Sequence, residues 1–282
     1  MPEKLEPLEK VASLFDAISG VFDTWLETLQ AKVYGEVTWQ HLQHLLPELS
    51  GALVLDAGGG TGRWTLPLAG KGYRVVLCDI SPGMLRQACD KIRREDLTDR
   101  AWATLQNLEN LAFAGEIFDF VLCEDGPLSI CDAPKALGEM VRVLKPGGMI
   151  WAAVAGRFAL SLRRLQRDFE EAVALATGAR SFTRYKGLGN TRVFSPAELR
   201  ELFVEQGLEV IAIYGNGIAT GRLAAGMQDA AQFDEALFRQ VSELERQCSE
   251  EPSLLGLGEY LQIAARKPYK VSPVGNESPI FG

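Results

Sequence analysis

Between about Leu53 and Gly156 the chain switches repeatedly between two hydrophobic rhythms. "ALVLDAG", from Ala52, is an apolar run closed by glycine, the pattern of a strand buried on both faces. "YRVVLCDI", from Tyr73, repeats that pattern. "SPGMLRQACDKIRRE" then turns helical, with Ser81 as N-cap, Pro82 in the first helical position, and Leu85, Ala88, Cys89 and Ile92 at helical spacing. A further helix is expected to follow the glycines at 58–62. The alternation continues with "WATLQNL" as a short third strand, "FDFVLCED" as a fourth, and "APKALGEMVRVL" as a helix capped by Asp132. "KPGG", at Lys145 to Gly148, reads as a turn that stops this helix and feeds "MIWAAVAG", a fifth strand.

Beyond Gly156 the rhythm changes. "FALSLRRLQRDFEEAVALATG" is amphipathic, and "RSFTRYKGLGNTR" reads as a glycine-rich loop bearing aromatic residues. "FSPAELRELFVEQG" is a well-marked helix, with Ser195 and Glu198 as a capping box, Pro196 just inside and Gly207 ending it. "LEVIAIYG" gives a sixth strand, a second helical interruption covers roughly Ala219 to Ser253, and "YLQIAARKP" gives the last strand. Strands joined through helices imply right-handed crossovers. The expected fold class is therefore α/β: a doubly wound, Rossmann-like, seven-stranded and mostly parallel sheet with helical insertions. The expected organisation is a helical segment at 1–50, the α/β core at 51–156, an insertion at 157–194, a return to the sheet at 195–268, and a tail at 269–282.

Bulk properties narrow the function. A net charge of −8 and a pI near 5.0 argue against a general polyanion binder, so nucleic acid is not an expected partner. "MPEKLEPLEK" begins the chain without the apolar stretch of a secretory signal, and no run is long enough to span a bilayer, so a cytoplasmic location is expected. Cys78, Cys89, Cys123, Cys131 and Cys248 form no CxxC pair and read as reduced thiols. His41 and His44 share a helix face, but no spacing marks further ligands, and no metal is expected.

"VLDAGGGTGRWTLPLA", from Val54, places a glycine-rich turn between the first strand and the following helix, where a ligand can approach the backbone and meet helix N-terminal amides. A P-loop needs Lys-Ser/Thr after its last glycine, but Arg63 and Trp64 stand there. A dinucleotide fingerprint counted from Gly58 and Gly60 puts Arg63 at its third glycine. What does match is D-x-G-x-G-x-G, read as Asp56, Gly58, Gly60 and Gly62. Here the sequence resembles the class I S-adenosylmethionine-dependent methyltransferases. A carboxylate at Asp56 suits a ligand carrying an amino group and a sulfonium, and would repel a pyrophosphate.

That resemblance covers roughly residues 50–156 and implies S-adenosyl-L-methionine as cofactor. It assigns Asp79 to the ribose hydroxyls, Ile80 and Met84 to the adenine face, and Asn107, with Leu108 beside it, to the adenine edge, Asn107 standing where the family usually has an aspartate. Glu124 aligns with the position whose backbone faces the methionine part, and "RVLKPGG" is a further family phrase. The nearest group includes the ubiquinone- and menaquinone-biosynthesis methyltransferases.

The implied reaction is an in-line displacement onto an acceptor held about 3 Å from the methyl carbon. A hydroxyl or acidic carbon also needs a general base. His41, His44, Tyr34 and Tyr185 are candidates, and the sequence singles out none of them. "EDGPLSICD" lacks the Asn/Asp-Pro-Pro-Tyr/Phe phrase of many nucleic-acid amino-methylating enzymes, which points to a small-molecule acceptor. Residues 157–192 carry eight basic side chains against three acidic ones, so that an acceptor anion at Arg184 and Lys186 competes with a solvated face pairing with the acidic remainder. The amino-terminal segment is expected to form a lid. An RNA methyltransferase, a noncatalytic S-adenosylmethionine-binding module and an NAD(P)-dependent oxidoreductase stay open as alternatives.

Overall fold

Seven strands hydrogen-bond in the order β3-β2-β1-β4-β5-β9-β8. The computed structural model describes residues 8–48, 51–183, 190–223 and 234–269. Helices α1 (Leu8–Ile18), α2 (Phe22–Trp25) and α3 (Leu29–Leu42) come first. The core follows as β1 (Leu53–Ala57), α4 (Thr65–Gly70), β2 (Arg74–Asp79), α5 (Pro82–Arg94), β3 (Ala101–Leu105), β4 (Phe118–Cys123), α6 (Ala133–Val143) and β5 (Leu144–Ala155). An insertion of α7 (Arg157–Arg164), α8 (Phe169–Ala176) and the short strands β6 (Ser181–Thr183) and β7 (Asn190–Arg192) precedes α9 (Pro196–Glu205) and β8 (Glu209–Asn216). Helix α10 (Glu235–Glu250) then leads to β9 (Tyr260–Arg266). Strand β9 runs antiparallel to both its neighbours, and the other core pairings are parallel.

The apolar runs form strands because the sheet is covered on both sides. Leu55, Val121, Ile150 and Ile263 face one core with Leu137, Met140, Leu199 and Phe203 from α6 and α9. Val54, Phe120, Trp151 and Ala264 face the other, with Leu42 and Leu68 from α3 and α4. The predicted caps are in place: Ser81 accepts from Met84 N, Asp132 from Lys135 N, and Ser195 with Glu198 closes a capping box. Each is worth about 1 kcal/mol to its helix.

Two expectations change. "KPGG" is no separate turn but a bulge inside β5, since Leu144 pairs with Phe118 and Met149 with Phe120. The reason is a backbone clasp: Gly147 N donates to Lys267 O, and Lys267 N to Gly148 O. Gly147 has φ +81, and a side chain on Gly148 would lie 2.9 Å from Asp119 O. Second, the expected loop at 180–192 contains a hairpin of β6 and β7, with Phe182 and Val193 buried beside Ala155 and Leu175. Strands of three residues are too short to show a period. Arg184, Tyr185 and Lys186 lie outside the described residues. The helix expected after the glycines is α4, which begins at Thr65.

Candidate cofactor and acceptor cavities

The glycine turn sits at the carboxyl ends of β1 and β2, pinned to β2 by its own backbone. Gly58 N and Gly59 N donate to Cys78 O at 2.8 and 3.2 Å, Gly60 N donates to Asp79 Oδ2 at 3.0 Å, and Gly62 N donates to Gly59 O. These amides therefore already have partners, so the turn offers close approach and not the anion cradle of a phosphate site. Gly58, Gly60 and Gly62 all have positive φ. Gly59 is required for another reason: its Cβ would stand 2.6 Å from the Asp56 carboxyl and 2.8 Å from Leu77. The sequence reading passed over Gly59, and only the buried carboxylate beneath it explains the residue.

A cavity opens on this turn, lined by Gly58, Gly60, Asp79, Ile80, Met84, Asn107, Leu108 and Glu124. Eight of the ten residues singled out from the sequence are thus brought together, and Gln106 and Cys131 join them. Asp79 Oδ1 accepts from Ser81 N at 2.8 Å while Oδ2 holds Gly60 N, which fixes the carboxylate at the rim; burial raises its pKa against these donors. Asn107 Oδ1 already accepts from Glu109 N at 2.9 Å, leaving one lone pair for a ligand.

The other two residues do not line the cavity. Gly62 faces Ala88, Leu66 and Leu77, where a Cβ would make ordinary contacts of 3.6–3.8 Å, so its φ of +89 and not a packing clash calls for glycine. Asp56 lies under the turn, 1% exposed, and Thr65 Oγ1 donates to its Oδ2 at 2.6 Å. Direct contact with a cationic ligand is therefore not its role here, because its side chain points back into the fold beneath Gly59. Burial first, and the neighbouring carboxylates of Asp125 and Asp79 after it, push Asp56 up to about 7, against the Thr65 hydrogen bond. In the unfolded chain it titrates near 3.8. As pH rises through this window the unfolded state loses its proton first, so stability falls. Asp56→Asn is expected to flatten this loss by about 2–3 kcal/mol between about pH 5 and pH 8, at 1.36 kcal/mol per pH unit. Urea unfolding of both proteins at the two pH values measures it; identical slopes would refute the assignment.

Helices α1 and α2 cover the cavity with Leu8, Val11, Phe15 and Phe22. They are fastened by carboxylates: Asp16 Oδ1 accepts from Ser81 Oγ and Gly83 N, both at 2.6 Å, and Asp23 accepts from Thr61 and pairs with Lys91. Gly83 permits this, because a Cβ there would lie 2.8 Å from Asp16 Oδ1.

A second cavity of about 390 Å³ abuts the first, sharing Phe15, Phe22, Asp125 and Ile130. Leu14, Ile18, Trp25 and Leu26 make an apolar wall, and Tyr34, Arg63, Ser129 and Tyr260 stand opposite. Arg63, the residue that broke both nucleotide motifs, reaches back to donate to Ala31 O at 2.6 Å and to Asp125 Oδ1 at 3.0 Å. Asp125 itself holds φ +60 ahead of Gly126 at +89, a strained turn between the cavities.

At that junction the Glu124 carboxylate is buried among four donors. Trp151 Nε1 and Gln262 Nε2 donate to Oε1 at 2.6 and 2.7 Å; Asp125 N at 2.9 Å and the Tyr34 hydroxyl donate to Oε2. Burial, then the charge of Asp125, lifts Glu124 to about 7 although its donors pull downward. The resemblance assigned only backbone to this position; the side chain is the unexpected part.

His41 lines neither cavity. It stacks on Tyr214 at 4.0 Å with Nε2 3.2 Å from Glu250, and burial lowers its pKa. His44 is exposed and lines neither cavity. No cluster of metal-ligating side chains occurs among the described residues. Four arginines of the insertion are paired: Arg157 and Arg180 with Glu198, Arg163 with Glu259, and Arg164 with Glu171. This favours a solvated, charge-matched face for the described part of the insertion.

Residues 54–148 match the family described as "Methyltransferase domain". Over these residues the chain is similar to a methyltransferase domain. The chain is 34% identical over 148 residues to the ubiquinone/menaquinone biosynthesis C-methyltransferase of Hydrogenovibrio crunogenus, covering 51% of this chain and 58% of that one. It is 32% identical over 151 residues to the same enzyme of Pasteurella multocida, covering 52% and 56%. It thus spans just over half the length of the curated relatives it matches. A solved S-adenosylmethionine-dependent methyltransferase from Thermotoga maritima superposes with a TM-score of 0.59 at 22% identity, over 91% of this chain and 99% of that one, which establishes a shared fold. Among the described residues no helix is long and apolar enough to cross a membrane.

Proposed function

We propose that the chain transfers the methyl group of S-adenosylmethionine, held in the first cavity, to a small acceptor with an apolar, ring-sized body held in the second. The observation that carries this is the abutment of the two cavities at Phe15, Phe22, Asp125 and Ile130. A sulfonium methyl in one can face a nucleophile in the other, and displacement needs little more than that alignment with water excluded. In this reading Asp79 binds the ribose, Ile80, Met84 and Leu108 pack on the adenine, Asn107 accepts from its amino group, and Gly58 and Gly60 let the methionine part approach. Asp56 acts from beneath by supporting the turn.

Helices α1 to α3 would serve as the cover of both ligands. The apolar wall supports an aromatic acceptor more than a simple anion, since Arg63 and Arg163 at the second cavity are already salt-bridged. The quinone-biosynthesis relatives point the same way. Thermal unfolding with S-adenosylmethionine, S-adenosylhomocysteine and NAD tests the cofactor. A ligand at a hundred times its dissociation constant adds about 2.7 kcal/mol. The two S-adenosyl compounds alone are expected to raise the midpoint; a response to NAD instead would overturn the reading.

A further inference from the structure

We infer that Tyr34 and Glu124 form a proton relay which deprotonates the acceptor during methyl transfer, so that the acceptor class is one with a removable proton on its nucleophile, a hydroxyl or a carbon acidified by a carbonyl group. The inference rests on the methyl-transfer reading above and adds to it a base and a substrate class.

Four observations support the relay. Tyr34 lines the acceptor cavity and Glu124 lines the cofactor cavity, and the hydroxyl of one donates to the carboxylate of the other. The two side chains therefore bridge the place where the sulfonium methyl and the nucleophile must meet. Second, Tyr34 is held in one position, 5% exposed, with Tyr260 edge-on at 5.2 Å and the Arg63 guanidinium 5.2 Å over its ring. Third, the remaining donors to Glu124, from Trp151, Gln262 and Asp125 N, orient Oε2 toward Tyr34, and Gln262 is itself fixed by donating to Thr38 Oγ1 at 2.7 Å. Fourth, among the described residues the rival bases are placed elsewhere or engaged: His41 and His44 line neither cavity, Asp125 is salt-bridged to Arg63, and Glu259 to Arg163.

The step balances without any further reagent. The acceptor X–H donates to Tyr34 Oη while the Tyr34 proton passes to Glu124 Oε2. The X–C bond forms as the C–S bond breaks, and the electron pair of that bond stays on sulfur as neutral S-adenosylhomocysteine. Glu124 ends as the neutral acid and returns its proton to water when the products leave. Tyr34 is the catalytic residue in this scheme, and Glu124 acts through it. A carboxylate poised near neutrality is matched to this work. The charged and titratable groups facing the pair are Asp125 next in the chain, Arg63 from the turn before α4, and Tyr260 on β9.

The test uses Tyr34→Phe, which removes one oxygen and keeps the packed ring, with the isosteric probes 2-naphthol and naphthalene-2-thiol at about pH 7. The thiol is ionised there without help and the naphthol is not. The variant is expected to bind S-adenosylhomocysteine within about threefold of wild type. It should lose at least about 100-fold in kcat for 2-naphthol, the low end of what general-base catalysis supplies, and stay within about threefold for the thiol. The rise of wild-type kcat with pH for 2-naphthol should level off once Glu124 is ionised, above about 7, whereas in the variant kcat should keep rising with the naphtholate fraction. Equal losses for both probes, or none for the naphthol, would overturn the relay. If wild type binds S-adenosylhomocysteine but methylates neither probe, the acceptor reading falls and the relay with it. If it does not bind, the fault lies with the cofactor assignment.

Discussion

Asp79→Ala is expected to weaken S-adenosylhomocysteine binding by about 100- to 1000-fold, read by isothermal titration. The carboxylate stands at the end of β2 with each oxygen held by one backbone amide, Ser81 N on Oδ1 and Gly60 N on Oδ2. Each oxygen keeps lone-pair capacity toward the cavity, where two adjacent ribose hydroxyls can donate. Charge-assisted hydrogen bonds contribute about 1.5–3 kcal/mol apiece, and the stated loss corresponds to about 2.8–4.2 kcal/mol at about 1.4 kcal/mol per tenfold. The same truncation frees Gly60 N, so part of the effect reaches the ligand through the turn. Asp79→Asn separates the two routes: it keeps one acceptor oxygen for the turn but cannot accept from both hydroxyls. An affinity between wild type and alanine is expected for it. Unchanged binding in both variants would remove Asp79 from the cofactor site.

The framework of this site was legible in the sequence because it is built from local rules. Buried parallel strands show as unbroken apolar runs, Ser81 and Pro82 announce a helix, and the glycines betray a turn of positive φ. The sequence therefore led to Gly58, Gly60, Asp79, Ile80, Met84, Asn107, Leu108 and Glu124, and these meet around one cavity. What stayed illegible depends on contacts distant in the chain. Asp56 stands in the motif, yet only the packing of Gly59 over it shows that its carboxyl points inward. Tyr34 and Glu124 are 90 positions apart and carry no local mark of their hydrogen bond. The bulge in β5 is set by Lys267, and "KPGG" alone reads as an ordinary turn. Arg63 was visible only as a misfit to nucleotide motifs, while its actual use is to tie α3 to the strained turn at Asp125.

Glu245 is a second case of long-range design, and Glu245→Ala is expected to cost about 3–5 kcal/mol in urea unfolding. In "EALFRQVSELERQCSE" it reads as one charge among several on an exposed helix, yet its side chain is wholly buried. Oε1 accepts from Ile218 N at 2.7 Å, and Oε2 accepts from Ala219 N, Thr220 N and Thr220 Oγ1 at 3.0, 2.8 and 3.0 Å. One carboxylate thus caps the turn that follows β8 and fastens α10 to it. Removing it strands four buried or half-buried donors, each costing about 1–3 kcal/mol when unsatisfied, with partial relief where water can reach Ala219. Glu245→Gln should cost less, since its oxygen can still serve the three donors at Oε2, while its amide nitrogen opposes Ile218 N. Gly217, next to this turn, lines the second cavity, whereas the first is built from other elements. Below its own unfolding transition, Glu245→Gln is therefore expected to keep wild-type affinity for S-adenosylhomocysteine. A stability change under about 1 kcal/mol in Glu245→Ala would show that these four hydrogen bonds are replaced by solvent at little cost.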